Sequence, residues 1–525
     1  MYHGTAIKGD WSRPVPVHSL EEFRNQFGTY SPEGSMTYEY VGGILSAGLP
    51  VLFQRIACVG QADITWSHNI PNITSDVERA RCANYTITHT NTVDESVETI
   101  TDCIISEKWG GTYGNRMSVN IKMTNNTIYV TVKYGSNIIE KVKLITLTGT
   151  EELYDKNLAV INAINSIELE TINLNAPVEI DEETGTYKRE AVLAFQIPLT
   201  GSTVIDGKEI DTYVELANGT DFDEALVPDE IPTLIYPKLT DKILYQPKFI
   251  TSGGYTDNLP TSTAIGKAME NLTEVRQDCR ALIDLPLGTK LENQQEYATK
   301  YAYSQLADNS IIPSASICAP WIYMQIGSNT MWTPPSFAYL TLVGGSISTG
   351  GKAYTPKAGL TSGRVIGVIK PEFEIGSDIA EAWQTDGTTN INPIMRLQSG
   401  NYVIAGNSTL LVLNEDEINA FNESSADLAV IEIRRFVYNL GMELQYQYNS
   451  VTAFENFSMR TSKFLDIMAS DGTVTDYAIV NVSTNDNPRT LKIKLNVWVA
   501  PTIKSIEIYL NVAYGNVTLS EGGEA

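Results

Sequence analysis

Over the last hundred residues the spacing of apolar positions changes from a helical period to a strand period. Between Asp427 and Tyr446, Ile433, Phe436, Val437, Leu440 and Leu444 recur at three- and four-residue intervals, which predicts an amphipathic helix. A second helix is predicted from about Asn449, with Phe454, Phe457, Phe464, Leu465 and Met468 on one stripe and Asp471-Gly472 as its stop. The period then becomes two, predicting strands at Thr473–Val482, Leu491–Val499 and Ile503–Val512. Leu491, Ile493, Leu495 and Val497 alternate along the second of these, and Ile503, Ile506, Ile508, Leu510 and Val512 mark the third. Only a short acidic, glycine-rich stretch follows. Strands so placed are expected to present an open edge, which proteins either blunt or use to pair with another chain.

Upstream, the pattern predicts an α/β texture interrupted by a β-rich stretch. Pro14-Val15-Pro16-Val17 reads as a short extended run, and Ser19 with Glu22 makes a capping box for a helix over Leu20–Gln26 that ends at Gly28. A second helix over about Thr37–Ala47 leads to a buried strand, Val51–Val59. From about Gln61 to Glu230, Thr, Val and Ile dominate short alternating runs at Tyr85–His89, Ser118–Met123, Ile128–Val132 and Ala191–Ile197, with one helix, Glu152–Ser166. The α/β texture resumes near Ile235. There Phe249-Ile250 precedes Ser252-Gly253-Gly254, a helix spans about Ser262–Glu274, and Ala281–Asp284 is a short strand ending on a carboxylate. A helix from about Asn293 to Gln305, a strand at Ser316–Ala319 and a helix opened by Pro334-Pro335-Ser336 and ending about Gly344 complete it. Such alternation implies a parallel sheet with crossover helices. The expected domains are 1–60, the first part of an α/β core; 61–232, a β-rich insertion; 233–400, the second part of the core; and 401–525, helices followed by strands.

A chain of 525 residues is too long for one hydrophobic core. With no apolar run long enough to span a bilayer and no signal-peptide pattern at Met1-Tyr2-His3-Gly4, it is expected to be a soluble protein made inside the cell, without membrane insertion. Its net charge of −25 argues against direct nucleic-acid binding, which needs a basic face. Acidity concentrates between Glu151 and Glu230, where 19 Asp and Glu face 4 Lys and Arg. That pattern fits a solvated surface domain, or repulsion that tunes the packing of copies. Cys58, Cys82, Cys103, Cys279 and Cys318 are scattered without CxxC or metal-ligand spacing, so they read as reduced, buried small hydrophobes.

Catalytic inventories fail. The four histidines, His3, His18, His68 and His89, all precede the most enzyme-like segment, and no G-x-S-x-G elbow occurs. Gly345 to Ala353 resembles a phosphate-binding loop, but Gly350-Gly351-Lys352 shifts the lysine and Ala353 replaces the hydroxyl, which leaves a flexible loop. Glu274, Asp278 and Asp284 could suggest a metal site; helix and loop surface is the better reading, although Asp284 ends a strand where α/β sites form. Trp321, Trp332 and Trp383 are too widely spaced for a carbohydrate platform. No cofactor and no catalytic residue is therefore expected.

Six stretches, in order along the chain, resemble the contractile tail sheath proteins of bacteriophages. Pro14-Val15-Pro16-Val17-His18-Ser19 with Glu22-Phe23 and Phe27-Gly28 looks like the family's opening. Lys108-Trp109-Gly110-Gly111-Thr112-Tyr113-Gly114-Asn115 is similar to its Trp-Gly-Asn turn, and Arg280 to Pro286 to its strand ending Ile-Asp-x-Pro. Cys318-Ala319-Pro320-Trp321, Pro334-Pro335-Ser336, Ala358-Gly359 and Gly363 follow the family order. Ile391-Asn392-Pro393-Ile394 ahead of Asn401–Leu410, and Phe454-Glu455-Asn456, continue it. Two departures stand out. Ala405 to Leu410 lacks the family's tryptophan and arginine, and the arm before the Pro-Val strand is short.

The resemblance implies a subtilisin-like α/β core without protease activity, a protruding β-rich insertion and an α+β C-terminal domain. It implies a homo-oligomeric helical sheath in the virion, assembled in the host bacterial cytoplasm, with the tail tube, baseplate and tail terminator proteins as partners. Contraction would drive the tube through the host envelope for genome delivery. Leu491–Val499 and Ile503–Val512 would be the strands that link subunits, and the helix bearing Phe454, Glu455, Asn456, Arg460 and Lys463 would face the tube. The alternatives are another baseplate or receptor-binding structural protein and a degenerate α/β hydrolase.

Overall fold

The computed structural model describes residues 1–57, 66–67, 70–71, 82–93, 96–181, 183–205, 208–222, 224–304, 312–385, 390–413, 419–483 and 489–502. The chain divides into two compact units, Met1–Glu417 and Ile418–Ala525. No helix among the described residues is long and apolar enough to cross a membrane.

The first unit is built on a nine-stranded sheet. Its strands are β1 (Tyr2–Gly4), β2 (Val15–Val17), β3 (Val51–Arg55), β4 (Phe249–Thr251), β5 (Arg280–Ile283), β6 (Ala315–Ala319), β7 (Arg364–Val365), β8 (Ile391–Arg396) and β9 (Tyr402–Ile404). The spatial order is β2-β3-β1-β4-β5-β6-β8-β9-β7. The six from β3 to β8 run parallel, and β2, β9 and β7 extend the two ends antiparallel. Because β9 pairs with β8, the sheet continues beyond residue 400.

Alternation along the strands sorts the helices into two layers. Ile250 packs in one cluster with Val227, Ile231 and Leu239 of the Val227–Leu239 helix and with Ile265, Met269 and Leu272 of the Ala264–Arg276 helix. Its neighbour Phe249 faces the other way and meets Tyr339 of the Pro335–Ser348 helix. Phe53 on β3 packs edge-on against Phe23 and Phe27 of the Leu20–Phe27 helix, while Phe337 meets Tyr40 of the Thr37–Ser46 helix. Numbered in chain order, these helices are α1 (Leu20–Phe27), α2 (Thr37–Ser46), α3 (Val227–Leu239), α4 (Ala264–Arg276) and α5 (Pro335–Ser348). Thus α3 and α4 cover one face of the sheet, and α1, α2 and α5 cover the other.

Between β3 and α3 the chain builds a second core. Strands Asn84–Val93, Ser96–Glu107 and Ile172–Asn175 form one antiparallel sheet. Met117–Thr124, Thr127–Tyr134 and Asn137–Thr146 form a meander, with Val214–Glu215 against its first strand. Ile105, Met117, Val119, Ile121 and Val130 from these strands bury against Val160, Ile161 and Ile164 of a helix over Leu153–Ser166. Asn125 and Asn126, both at positive φ, make the tight hairpin turn between paired Thr124 and Thr127.

Several expectations change. Ala191–Ile197 is no strand: Arg189–Ala194 is a short helix, and its Val192 points into that second core. The buried strand stops at Arg55, and the Asn293–Gln305 helix is confined to Gln294–Thr299. The apparent phosphate loop is partly helical, because α5 runs through Gly345 to Ser348. Cys82, Cys103, Cys279 and Cys318 are buried and free, while Cys58 and His68 lie outside the described residues.

In the second unit, α6 (Ser424–Leu444) and α7 (Val451–Ser470) are followed by β10 (Val474–Asn481) and β11 (Ile493–Val499), which pair antiparallel. Gln445, at ψ 136, takes the chain out of α6 two residues earlier than its sequence periodicity suggests, and Tyr446 follows at φ 68. Ser450 caps α7 by accepting a bond from the N–H of Ala453.

Candidate functional site: the crevice of the sheet and the terminal ribbon

In a sheet of this kind a ligand crevice forms at the carboxyl ends of the strands where successive crossovers change face. Here that point lies between β1 and β4, where the buried Tyr2 side chain reaches across. Gly253, at φ +81, turns so tightly that a Cβ there would sit 2.1 Å from the His3 carbonyl oxygen. The Tyr2 hydroxyl donates to the Gly253 carbonyl at 2.9 Å, and the Tyr40 hydroxyl donates to that of Trp332 at 2.6 Å.

Beside the crevice, Asp284 at the end of β5 is buried and accepts from both the N–H and the hydroxyl of Ser336, at 2.8 and 2.5 Å. The surface reading of Asp284 is therefore wrong: its carboxylate caps the first turn of α5. Burial pushes the carboxyl up to about 6, and the two Ser336 bonds hold it from going further. An acyl-transfer triad places an imidazole between carboxylate and serine. The direct Asp284–Ser336 bond occupies that interval. Trp321 donates its indole N–H to the Leu285 carbonyl at 2.7 Å. The Asn392 side chain donates to Ile317 and Ser408 carbonyls and accepts from the Ser408 N–H at 2.8 Å. The motif residues thus meet as mutual braces. No cluster of three or more potential metal-ligating side chains occurs among the described residues.

The Trp109-Gly110-Gly111 turn is held by a residue that sequence reasoning missed. Arg55, buried at the end of β3, donates to the carbonyls of Ala6, Gly9, Trp109 and Gly110 at 2.9, 2.8, 2.8 and 2.6 Å. The Glu107 carboxylate accepts from the Gly110 N–H at 2.5 Å, and Asp221 accepts from both the N–H and the hydroxyl of Thr112. Burial raises the Glu107 carboxyl to about 7, against the lowering pull of Arg55. The second core is tied to the sheet at this knot. Only a run of Gly and Trp after a strand hinted at it.

In the second unit the predicted pairing residues divide clearly. Ile493, Leu495 and Val497 lie opposite Asn481, Ile479 and Tyr477. That face looks toward α7, since the Tyr477 hydroxyl donates to Asp466 at 2.6 Å. Leu491 precedes the strand. On the other face Val480 is 46% and Trp498 51% exposed. Among the described residues no third strand joins β10 and β11. That face is mixed, with Val480 opposite Lys494 and Trp498 opposite Asp476, and a two-stranded ribbon is marginal by itself. Ile503, Ile506, Ile508, Leu510 and Val512 lie outside the described residues.

On α7, Phe457, Leu465 and Met468 are buried, and Phe464 stacks on Phe436 of α6 at 4.2 Å. Phe454 is half-buried, while Glu455, Asn456 and Lys463 are exposed. Arg460 is engaged within the unit, donating to Glu443 of α6 at 2.5 Å. Tyr446 and Tyr448, 97% and 95% exposed between the helices, stand out as surface aromatics absent from the expected set.

No family model and no curated protein matches the sequence. Solved structures do match. The sheath tail protein of Listeria innocua superposes with a TM-score of 0.56 at 10% identity, over 95% of this chain and 91% of that one. A sheath tail protein of Desulfitobacterium hafniense gives 0.48 at 10% identity, over 95% of each chain. The contracted PVC sheath complex of an extracellular contractile injection system gives 0.41 at 13% identity, over 56% of this chain and 77% of that one. The first of these likenesses is one of fold: nearly the whole multi-domain α/β architecture is shared.

Proposed function

We propose that this chain is the structural subunit of a contractile tail sheath, which polymerises helically around a tail tube and contracts to drive that tube through a host envelope. The observation that carries the reading is the fold shared with a sheath tail protein over 95% of the chain, together with a two-stranded ribbon that no third strand joins among the described residues. The core, 1–60 with 233–400 and the strand β9 that continues its sheet, is a subtilisin-like scaffold kept for packing rather than hydrolysis, a reading supported by the closed Asp284–Ser336 pair. Residues 61–232 are the protruding insertion, and the second unit carries the linking strands.

Strand addition suits such a machine. Main-chain hydrogen bonds hold while rigid bodies reorient, so a mesh of shared strands survives as the subunits swing outward. In this mesh β11 and the Ile503–Val512 segment are the linking strands, and α7 with its flanking loop meets the tube. The partners are further copies, the tail tube, the baseplate and the tail terminator; the particle is a virion. Deleting residues 503–525 is expected to leave folded subunits that stay dispersed under conditions where the full chain polymerises. Normal tubes from the shortened chain would overturn the assignment.

A further inference from the structure

The chain leaves the terminal ribbon at a fixed point. Ala500 makes the last ladder bond, its N–H donating to the Thr473 carbonyl at 2.9 Å, and Pro501 has no N–H to continue it. At Thr502 both donors, the N–H and the hydroxyl, go to one carboxylate oxygen of Glu423, at 3.0 and 2.8 Å. Glu423 is 9% exposed and stands 79 residues earlier, immediately before α6. A side chain at that position ordinarily turns onto the first free N–H groups of its own helix. Glu423 makes no such bond: its carbonyl accepts from the Asp427 N–H, while its carboxylate is given to Thr502. Hydrogen bonds to a carboxylate are stronger than those between neutral groups.

That contact bears on where the chain goes next. The nearest partner for a strand after Thr502 is the outer edge of β11, the strand just completed. Hairpin loops of about two to five residues would carry the chain back to it, and every one of them runs through Thr502. In the shortest, the Thr502 N–H would bond the Val499 carbonyl. Here Glu423 takes that N–H and draws Thr502 toward the helices. These cover one face of the ribbon: α7 meets it through Asp466 and Tyr477, and α6 packs on α7 through Phe436 and Phe464. Among the described residues no strand pairs with the outer edge of β11.

We infer that Glu423 is the positioning residue of strand exchange. By holding Thr502 it keeps the chain from closing on its own β11, and so leaves that edge for a strand from another copy. The inference rests on the sheath reading and adds to it the residue that decides between pairing within a copy and pairing between copies. Without such a device an exchangeable strand satisfies its own subunit first, because a tethered partner is present at far higher effective concentration than a separate one.

The test compares Glu423→Ala, Glu423→Gln and Thr502→Val in the full chain. Alanine keeps the carbonyl bond to Asp427, so α6 is expected to be retained, and Thr502→Val leaves α6 untouched altogether. Glutamine keeps an oxygen that can accept both bonds. In dispersed subunits, hydrogen exchange over residues 493–499, read by mass spectrometry, should slow in Glu423→Ala as the chain closes on its own β11. The concentration that Glu423→Ala needs for polymerisation should rise about tenfold. Thr502→Val should move both readouts in the same direction and by less, and Glu423→Gln should match the unmodified chain. Exchange that stays the same or quickens in Glu423→Ala would overturn the inference, since a merely loosened unit exchanges faster. Slower exchange with unchanged assembly would overturn it as well. Failure of the unmodified chain to form tubes would overturn the sheath reading, while the exchange readout would still decide the role of Glu423.

Discussion

Replacing Glu107 by glutamine is expected to strengthen the knot between sheet and insertion at high pH and to leave it unchanged at low pH. The folded carboxyl is raised from the ordinary 4.5 to about 7, with burial outweighing the attraction of Arg55 and Lys8. A group raised in this way contributes its stability below its unfolded value and loses it as pH climbs to the folded one. The loss therefore falls between about pH 4.5 and 7. That difference in protonation equilibrium corresponds to about 3 kcal/mol. Glutamine keeps an oxygen to accept the Gly110 N–H but never ionises. Hydrogen exchange of residues 107–116, read by mass spectrometry for both proteins at matched pH, isolates the local opening. The variant should be protected by up to about 3 kcal/mol more at pH 8 and equally at pH 4.5. A variant that opens more easily at pH 8 would show that Arg55 dominates and would refute the reasoning.

Ser336→Ala removes the hydroxyl bond to a buried carboxylate, so thermal unfolding should show a loss of about 1.5–3 kcal/mol. The loss should be larger at pH 8 than at pH 5, because the remaining carboxyl, already raised to about 6, rises further without that donor. Ser450→Ala deletes the cap of α7 and should cost about 1 kcal/mol, seen as faster exchange in the first turn of that helix with its last turn unaffected.

The elements best legible in the sequence were those with local signals. Ser19 and Glu22 announced the cap of α1, and the stripe from Phe457 to Met468 announced α7, because capping and a 3.6 period are written in neighbouring residues. Ala191–Ile197 misled because a short apolar run has the same composition as a strand, and only the core around Val192 decides. Asp284 looked like surface because its partner, Ser336, lies 52 residues away. Arg55 and Arg276 were invisible for a related reason. Each binds backbone carbonyls brought together by the fold, and carbonyls leave no mark in a sequence. The antiparallel pairing of β10 with β11 follows the two-residue alternation along both segments, which is again a local signal.

Negative-stain electron microscopy of the purified full-length chain tests the central claim most directly. Hollow helical tubes, wide enough to enclose an inner tube, are the expected result. Discrete monomers, dimers or trimers at every concentration and salt condition that keeps the chain folded would contradict the account.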